Sequence, residues 1–373
     1  MPVRSFIAER IQSIGSSGIR KIFDLAATMA DPIDLSLGQP DFAVPQAVKQ
    51  AAIDAIRNDR NNYTVTHGLP ALRDRILSGL VREFDWRPAC LVTSGVSGGL
   101  VLALMACLNP GDEVLFADPY FVSYTHLVRL FGGTPVPVPV YDRFRLNAAA
   151  FEAAVTPRTK IIVINSPANP TGVVHGADEI EGIARLAERH DLLVISDEIY
   201  QLLSYDGPAA SPVSFAPART LLLRGFGKSY GMTGWRMGYA AGPEAIIAQM
   251  AKLQQFTFVC APHMAQVGCI TALDTDMSRQ INDYRGKRDL IARELGDGYE
   301  FARPSGGFFV FPRIPAGYDS ATQFVEAAIR NNLLVIPGNA FSARDTHFRV
   351  SYAVPDERIK RGCEVLRQLA ERR

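Results

Sequence analysis

Lys228 lies between an apolar run and a glycine-rich turn, which is an uncommon place for a charged side chain. The run Leu221–Leu223 is followed by Gly225 and Gly227, a pattern typical of a strand that leaves its sheet where a ligand can approach the backbone. A primary amine held there has one common chemical use, the formation of a Schiff base with a carbonyl compound. Arg236 follows eight residues later and adds a fixed positive charge.

The other lysines lie among polar or helix-forming residues, where a solvated surface charge is the expected state. They are Lys21, Lys49, Lys160, Lys252, Lys287 and Lys360. Position therefore favours Lys228 as the reactive amine.

A nucleotide-binding phosphate loop is a weaker interpretation of Gly227, Lys228 and Ser229, with Leu192–Glu198 as its magnesium-binding strand. That loop needs a glycine five residues before Gly227, where Leu222 lies. The acidic strand should also follow the lysine motif, but here it precedes it. A nucleotide hydrolase is therefore a weak alternative.

The composition is that of a globular protein that acts on small molecules. The 373 residues are 47% apolar and 21% charged, which suits one large domain and a smaller one. A net charge of +1 gives no electrostatic reason to expect nucleic acid or a membrane surface as a partner. We expect small molecules and further copies of the chain.

The five cysteines and six histidines show no metal-ligand spacing, so free thiols and no metal site are expected. The first ten residues lack the apolar core of a signal peptide, and no apolar run reaches transmembrane length. These features predict a cytoplasmic protein.

Short apolar runs alternate with helical patterns, which indicates a mostly parallel sheet covered by helices on both faces. Seven strands are predicted, near Leu91–Thr93, Glu113–Ala117, Pro135–Pro139, Lys160–Asn165, Leu192–Asp197, Thr220–Arg224 and Met237–Ala241. The third contains three prolines, which cannot donate ladder hydrogen bonds, so we expect it at an edge.

The pattern changes after about Leu273, where a second domain is predicted. A helical stretch, Ser278–Leu295, leads to a strand-like segment at Pro304–Pro312. A later helix should open at Ser320 with a capping box completed by Gln323, and the last helix should open after Pro355.

Two turns follow predicted strands at the edge where open α/β sheets bind ligands. In Val92–Leu100 small residues join a strand to a helix, so backbone N–H groups could hold a phosphate, although an ordinary tight turn fits as well. In Asn165–Gly172 two prolines restrict Asn169, whose amide could be presented to a ligand or could bond locally in a rigid turn.

A carboxylate, a phenol and a guanidinium complete the candidate site. Asp197 ends an apolar strand and Tyr200 follows it, so both could face one bound ring; the alternatives are a helix cap and a core aromatic. Arg349, in the strand-like His347–Ala353, could grip a carboxylate through two hydrogen bonds or could lie on the surface. Their joint occurrence in this order weighs more than each motif alone.

Together these segments resemble the fold-type I pyridoxal-phosphate enzymes of the class I/II aminotransferase family. The most specific matches are Asn169–Gly172, Ser196–Tyr200, and Lys228 with Met232–Arg236; others are Ser17–Asp24, Leu35–Phe42, Asn62–Arg73 and Phe348–Ala353. The resemblance implies a seven-stranded, mostly parallel sheet between helices and a smaller α+β domain. Residues 1–44 would form an N-terminal arm and part of the small domain, 45–275 the large cofactor-binding domain, and 276–373 the C-terminal small domain.

The same resemblance implies pyridoxal 5′-phosphate as the cofactor. Lys228 would hold it as a Schiff base. Its phosphate would be bound by Arg236 and by the groups around Gly95, Val96 and Ser97.

For the cofactor ring, the resemblance implies that Asp197 pairs with the pyridinium nitrogen. Asn169 and Tyr200 would contact the phenolic oxygen, and Phe121 would stack on the ring face. Lys228, Asp197 and Tyr200 would be the catalytic residues.

The resemblance also implies a substrate site and a homodimer. Arg349, with the Gly38 backbone and the Asn169 side chain, would bind the substrate α-carboxylate. Tyr63 would reach the phosphate of the neighbouring subunit.

Two departures from the family pattern are visible. Gly225 and Gly227 stand where serines are frequent, so one phosphate hydroxyl is absent and backbone groups or water would replace it. Ser97 is neutral where relatives that favour acidic substrates can carry a cation, which favours a neutral or aromatic amino donor.

The implied function is transfer of an amino group from an L-amino acid to a 2-oxo acid through Lys228. A β-lyase that cleaves C–S bonds and a cyclopropane-forming synthase share most of these residues and stay open as alternatives. A regulatory module that only binds the cofactor is disfavoured, because we expect the sixteen residues before Ser17 to be too few for a DNA-binding domain.

Overall fold

The computed structural model describes residues 6–12, 14–15 and 29–371. Its centre is a seven-stranded sheet in the order β2-β8-β7-β6-β5-β3-β4. The strands are β2 (Ala89–Ser94), β3 (Glu113–Asp118), β4 (Thr134–Pro139), β5 (Thr159–Asn165), β6 (Leu193–Asp197), β7 (Thr220–Gly225) and β8 (Met237–Gly242). β8 runs antiparallel to β2 and β7, and the other pairings are parallel.

All seven predicted strands are therefore confirmed, with bounds that differ by at most two residues. The proline-rich β4 lies at the edge, next to β3 alone, as the missing N–H groups require. Burial on both faces explains why the inner strands are continuously apolar. In β5, Ile161 and Val163 enter the core on one side of the sheet, and Ile162 and Ile164 enter the core on the other.

Helices cover both faces of this sheet. The helices of the described residues are α1 (Glu9–Gln12), α2 (Gln46–Arg57), α3 (Pro70–Phe84), α4 (Gly95–Cys107), α5 (Ser123–Leu130), α6 (Ala148–Ala153), α7 (Ala177–Arg189), α8 (Glu244–Phe256), α9 (His263–Ala272), α10 (Ser278–Leu295), α11 (Ala321–Arg330) and α12 (Asp356–Glu371). Of these, α12 packs against α10 and α11 in the C-terminal part. Helix α4 carries no charged residue and is largely buried, whereas α7 buries one face, including Ile180, Ile183 and Ala187. The start of α4 is thereby fixed against the sheet.

The C-terminal part contains two small sheets. β11 (Ile336–Pro337), β12 (Phe348–Ser351) and β9 (Phe309–Val310) form an antiparallel sheet, and β1 (Ile33–Asp34) pairs in parallel with β10 (Leu333–Leu334). Residues near the N-terminus therefore pack with the C-terminal part.

The helices predicted here are confirmed, with one local difference. α10 has the predicted bounds, and α12 begins directly after Pro355. The Ser320 hydroxyl caps α11 by accepting from the Gln323 N–H at 3.1 Å, but the Gln323 side chain accepts from the Asp319 N–H, one residue before the position a capping box requires.

The segment Ser17–Asp24, which resembles the family in sequence, lies outside the described residues. Within the described ranges, none of the helices combines the length and apolarity needed to cross a bilayer.

Candidate active site

A cavity of about 230 Å³ lies at the carboxyl ends of the parallel strands, where open α/β sheets place their ligands. Eleven of the twelve predicted site residues line it: Gly38, Gly95, Val96, Ser97, Phe121, Asn169, Asp197, Tyr200, Lys228, Arg236 and Arg349. Sequence reasoning missed the other lining residues, Asn165, Ile199, Thr233 and Met237, and named Gly227 only as a departure from the family pattern.

Lys228 follows β7 and extends into this cavity. Its Nζ donates a hydrogen bond to the carbonyl oxygen of Gly38. Burial, together with the positive charges of Arg349 and Arg236, lowers the amine pKa to about 8, and the charge of Asp197 opposes this shift. A substantial fraction of the amine is therefore neutral and nucleophilic near physiological pH.

Asp197 ends β6 and is buried. Its Oδ2 accepts a hydrogen bond from the Tyr124 hydroxyl at 2.7 Å, and its Oδ1 accepts from the Ile199 N–H at 3.3 Å. Burial raises the pKa of this carboxyl to about 6, while the bond from Tyr124 opposes that rise. The bond from the Ile199 N–H resembles the contact of a helix cap, but it uses only Oδ1, and Oδ2 accepts from Tyr124.

The role of Tyr124 was missed from the sequence. Its ring lies 5.7 Å from that of Phe121, edge to face, and its hydroxyl reaches a carboxylate 73 positions further along the chain. The one local signal is that Phe121 and Tyr124 are three residues apart at the start of α5, a spacing that brings side chains together.

The start of α4 and Arg236 together form a cradle for an anion. Gly95 has φ +70°, and a Cβ there would lie 2.9 Å from Nη2 of Arg236, so glycine permits their close approach. The first N–H groups of a helix have no helical partner, and the helix dipole adds positive potential. Nη1 of Arg236 donates to the Thr233 carbonyl at 3.0 Å, which orients the guanidinium.

The two glycines that depart from the family pattern differ in their surroundings. A Cβ on Gly225 would lie 2.9 Å from Ile199 Cδ1 and 3.0 Å from Val96 Cγ2, so a side chain there would require these two neighbours to shift. A Cβ on Gly227 would have its nearest contact at 3.6 Å, which is ordinary van der Waals distance. The hydroxyl-bearing residues Ser97 and Thr233 line the same cavity.

Arg349, on β12, is 2% exposed and carries a charge that no carboxylate neutralises among the described residues. Its Nη1 donates to Asn169 Oδ1 at 3.1 Å and its Nη2 to the Ser36 carbonyl at 2.8 Å, while its Nε has no partner. The rings of Phe309 and Phe341 hold the guanidinium at 4.4 and 4.9 Å. The surface-arginine alternative is therefore wrong, and a buried uncompensated cation favours an anionic ligand.

Asn169 is positioned by contacts beyond its own turn. Its backbone N–H donates to Asn165 Oδ1 at 2.8 Å, and Asn165 Nδ2 donates to the Asp197 carbonyl at 2.9 Å. Because its Oδ1 contacts Arg349 across the chain, local turn bonding does not explain this side chain.

Tyr63 is the one predicted site residue outside the cavity. Its side chain is 80% exposed in the single chain. Three other apolar residues close to it in sequence or in a neighbouring segment are also exposed: Val65, Phe256 and Val259. The segment with Tyr63 and Val65 contacts the segment with Phe256 and Val259 through Asn62 and His263, at 3.1 Å.

Residues 30–366 match the family model of class I and II aminotransferases. The chain belongs to this family. It is 36% identical to an aspartate aminotransferase of Pyrococcus abyssi, with 96% of each chain covered, and 33% identical to aromatic-amino-acid aminotransferase 2 of Thermococcus litoralis, again with 96% of each covered. Its fold matches the aspartate aminotransferase of Thermus thermophilus solved with maleate, with a TM-score of 0.94, 34% identity, and coverage of 98% of this chain and 100% of that one.

Family membership identifies pyridoxal 5′-phosphate as the cofactor, and the cavity fits this group. An amine with a lowered pKa, Lys228, suits its aldehyde, and the cradle of Gly95 and Arg236 suits its phosphate. The buried carboxylate of Asp197 suits its ring nitrogen.

The lowered pKa of Lys228 predicts a specific pH profile for the apoprotein. Only the neutral amine reacts with acylating agents, so labelling of Lys228 should rise about fivefold between pH 7 and pH 8 and level off above pH 9, as a pKa of about 8 requires. Limited acetylation followed by peptide mass spectrometry measures this rate, with a simple alkylamine as standard. Labelling that continues to rise about tenfold per pH unit beyond pH 9 would indicate an ordinary lysine instead.

Proposed function

We propose that this pyridoxal-phosphate-dependent aminotransferase binds its cofactor through Lys228 and its substrate through Arg349. One observation carries the proposal: a neutralisable amine and an uncompensated guanidinium open into the same cavity. The amine matches the aldehyde of the cofactor. The guanidinium matches the carboxylate that every α-amino acid and 2-oxo acid carries.

Binding of the cofactor follows from the charges along the cavity. Arg236 and the first N–H groups of α4, at Gly95, Val96 and Ser97, bind the phosphate, because a dianion needs many donors. Lys228 anchors the other end of the molecule covalently.

Phe121 would stack on the cofactor ring. Asp197 would pair with the ring nitrogen, and Asn169 and Tyr200 would contact the phenolic oxygen. Burial raises the pKa of Tyr200, so its hydroxyl stays a hydrogen-bond donor throughout the physiological range. These roles are supported by the shared lining of one cavity.

When bound, the cofactor supplies a ring that accepts the electron pair left by removal of the substrate α-proton. The ionised carboxylate of Asp197 would stabilise a positive charge on the ring nitrogen. The Lys228 Nζ would accept the substrate α-proton and would then give it up again, serving as base and acid in turn. Its pKa near 8 is close to the value at which one group serves as both base and acid. Arg349, with the Gly38 backbone and the Asn169 side chain, would hold the substrate α-carboxylate during this transfer.

Transamination is favoured over the lyase alternative, because the relatives compared above are named aminotransferases and match this chain over almost their full length. A lyase or cyclopropane-forming synthase would use the same cofactor contacts. Product analysis separates them: transferred nitrogen and a 2-oxo acid indicate transamination, whereas ammonia with pyruvate indicates a lyase.

The amino donor in this proposal has a neutral or aromatic side chain. The cations among the described residues that line the cavity are Lys228, Arg236 and Arg349, and each has another role. Apolar side chains supply much of the remaining surface: Val96, Phe121, Ile199 and Met237. A substrate carboxylate placed against them would lose hydration without gaining a partner.

The protein is further proposed to be a cytoplasmic homodimer. The exposure of Tyr63 beside further exposed apolar residues, Val65 and Phe256, supports burial of this surface by a second copy, from which Tyr63 would reach the partner's phosphate. We divide each subunit at residues 1–44, 45–275 and 276–373, a division supported by the pairing of Ile33 with Leu333. Cell fractionation checks the location.

The roles of Lys228 and Arg236 predict different kinetic effects. Lys228→Ala should reduce turnover at least about 100-fold to 10,000-fold, because it removes both the covalent link and the proton carrier. Arg236→Ala should mainly weaken cofactor binding, by about tenfold to 100-fold for the loss of a charge-assisted phosphate contact. Steady-state kinetics and cofactor titration measure these effects, with Lys360→Ala on the exposed face of α12 as control. Wild-type turnover in the lysine variant would refute the first assignment, and unchanged cofactor affinity in the arginine variant the second.

Because the three cations of the cavity have other roles, we predict a preference for amino donors with uncharged side chains. With 2-oxoglutarate as acceptor, kcat/KM for phenylalanine or leucine should exceed that for aspartate by about tenfold or more, since an unpaired carboxylate is costly to bury. Ser97→Lys should narrow this gap, whereas Ser97→Gln, similar in length but uncharged, should not. Equal efficiency with aspartate in the unaltered enzyme would contradict the proposed donor class.

A shared site predicts recovery in mixed dimers. In a hybrid of Tyr63→Ala and Lys228→Ala subunits, one site would carry both changes and the other none, so about half of the wild-type activity should return. The assay uses purified, differently tagged hybrids at a cofactor concentration that leaves the Tyr63→Ala homodimer largely empty. If Tyr63 acts within its own subunit, both sites stay damaged and no recovery is seen.

A further inference from the structure

A buried ion cluster lies directly behind Asp197. The next residue, Glu198, is 4% exposed and lines a second cavity of about 190 Å³ rather than the cofactor cavity. Its Oε1 accepts hydrogen bonds from the hydroxyls of Ser196 at 2.8 Å and Ser211 at 2.6 Å. Two neighbouring carboxylates are therefore buried at the end of one strand.

Arg224 provides the compensating charge from β7. Its Nε donates to Glu198 Oε2 at 2.9 Å, and its Nη1 and Nη2 donate to the carboxylate of Glu83 at 2.6 and 2.8 Å. The side chain of Glu83 is 36% exposed, whereas those of Arg224 and Glu198 are 10% and 3% exposed. Glu198 therefore depends on Arg224, while Glu83 retains access to water.

Glu198 affects Asp197 through charge. Besides Glu198, the titratable groups that face Asp197 are Tyr124 on α5, Tyr200, and Lys228 after β7. Burial is the largest cause of the raised pKa of Asp197; the negative charge of Glu198 adds to it, and the hydrogen bond from Tyr124 and the charge of Lys228 lower it. Without Arg224, the negative charge of Glu198 would act on Asp197, its neighbour in the chain. Because both side chains are buried, water would screen this repulsion only weakly.

We propose that Arg224 is a positioning residue for the reaction: by neutralising Glu198 behind the cavity, it lets Asp197 stay ionised as the partner of the cofactor ring at neutral pH. This inference rests on the role proposed for Asp197. It assigns a function to a buried guanidinium that touches neither cofactor nor substrate.

The test is the pH dependence of cofactor affinity, measured by titrating each apoprotein with pyridoxal 5′-phosphate between pH 5 and 9 and following absorbance and protein fluorescence. In Arg224→Met the acid limb should move up by about one pH unit from its position near 6, so that affinity falls about fivefold at pH 6 and about twofold at pH 7 while affinity at pH 9 changes little. The double variant Arg224→Met/Glu198→Gln removes both charges and should return the limb towards that of the wild type. The cofactor phosphate also titrates in this range, but equally in every variant.

Three further variants test the contributions of Arg224, Glu198 and Glu83 to the acid limb separately. Arg224→Lys retains the charge and should shift the limb less than Arg224→Met. Glu198→Gln should move the acid limb to lower pH, and this result tests the action of Glu198 on Asp197 even if Arg224→Met does not fold. Glu83→Gln leaves the inner pair intact and should not move the limb upward.

Several results would overturn the inference. They are a wild-type acid limb in Arg224→Met, no recovery in the double variant, and no downward shift in Glu198→Gln. Asp197→Asn separates the two levels of the argument: if it keeps the wild-type acid limb, Asp197 is not the titrating partner and the proposed cofactor site is at fault, whatever Arg224 does.

Discussion

Desolvation of three charged groups in one cavity is the constraint on which the site depends. Lys228, Asp197 and Arg349 each lose hydration, and the cost appears as a lowered, a raised and a lowered pKa. Neutral hydrogen-bond partners, rather than counter-ions, hold all three: a backbone carbonyl for Lys228, a tyrosine hydroxyl for Asp197, and amide and carbonyl oxygens for Arg349. Their unmet charge is what a zwitterionic substrate and a charged cofactor can satisfy.

The fold supplies this constraint by bringing strand ends together. β5, β6 and β7 are adjacent and parallel, so Asn165, Asp197 and the residues after Gly225 meet at one edge of the sheet. Close approach of backbone then sets the fine geometry. A Cβ on Gly238 would lie 2.7 Å from the carbonyl carbon of Gly95, so glycine at 238 lets the start of α4 press against β8.

Elements with a local signal were predicted from the sequence. The apolar strands, the edge position of β4 and the start of α12 after Pro355 follow from periodicity and from proline's missing N–H. Lys228 and Asp197 were predicted as site residues because Asp197 ends an apolar run and Lys228 follows another after two glycines. The strand-like segment Pro304–Pro312 was only partly regular, since β9 spans Phe309–Val310.

Contacts between distant residues could not be predicted in the same way. Tyr124 bonds Asp197 across 73 positions, and Arg224 bonds Glu83 across 141, and neither pair shares a local pattern. The burial of Arg349 likewise depends on Phe309 and Phe341 closing around it, which strand periodicity does not indicate. Tertiary packing therefore decides the electrostatic environment of residues that the sequence had already predicted.

Covalent attachment of the cofactor to Lys228 is the central claim, and borohydride trapping tests it most directly. The protein is saturated with pyridoxal 5′-phosphate, reduced with borohydride, digested, and analysed by peptide mass spectrometry. The account predicts one modified site, on the peptide that contains Lys228, and its absence from Lys228→Ala. A protein that carries no adduct after saturation, or an adduct on another of the seven lysines, would contradict it.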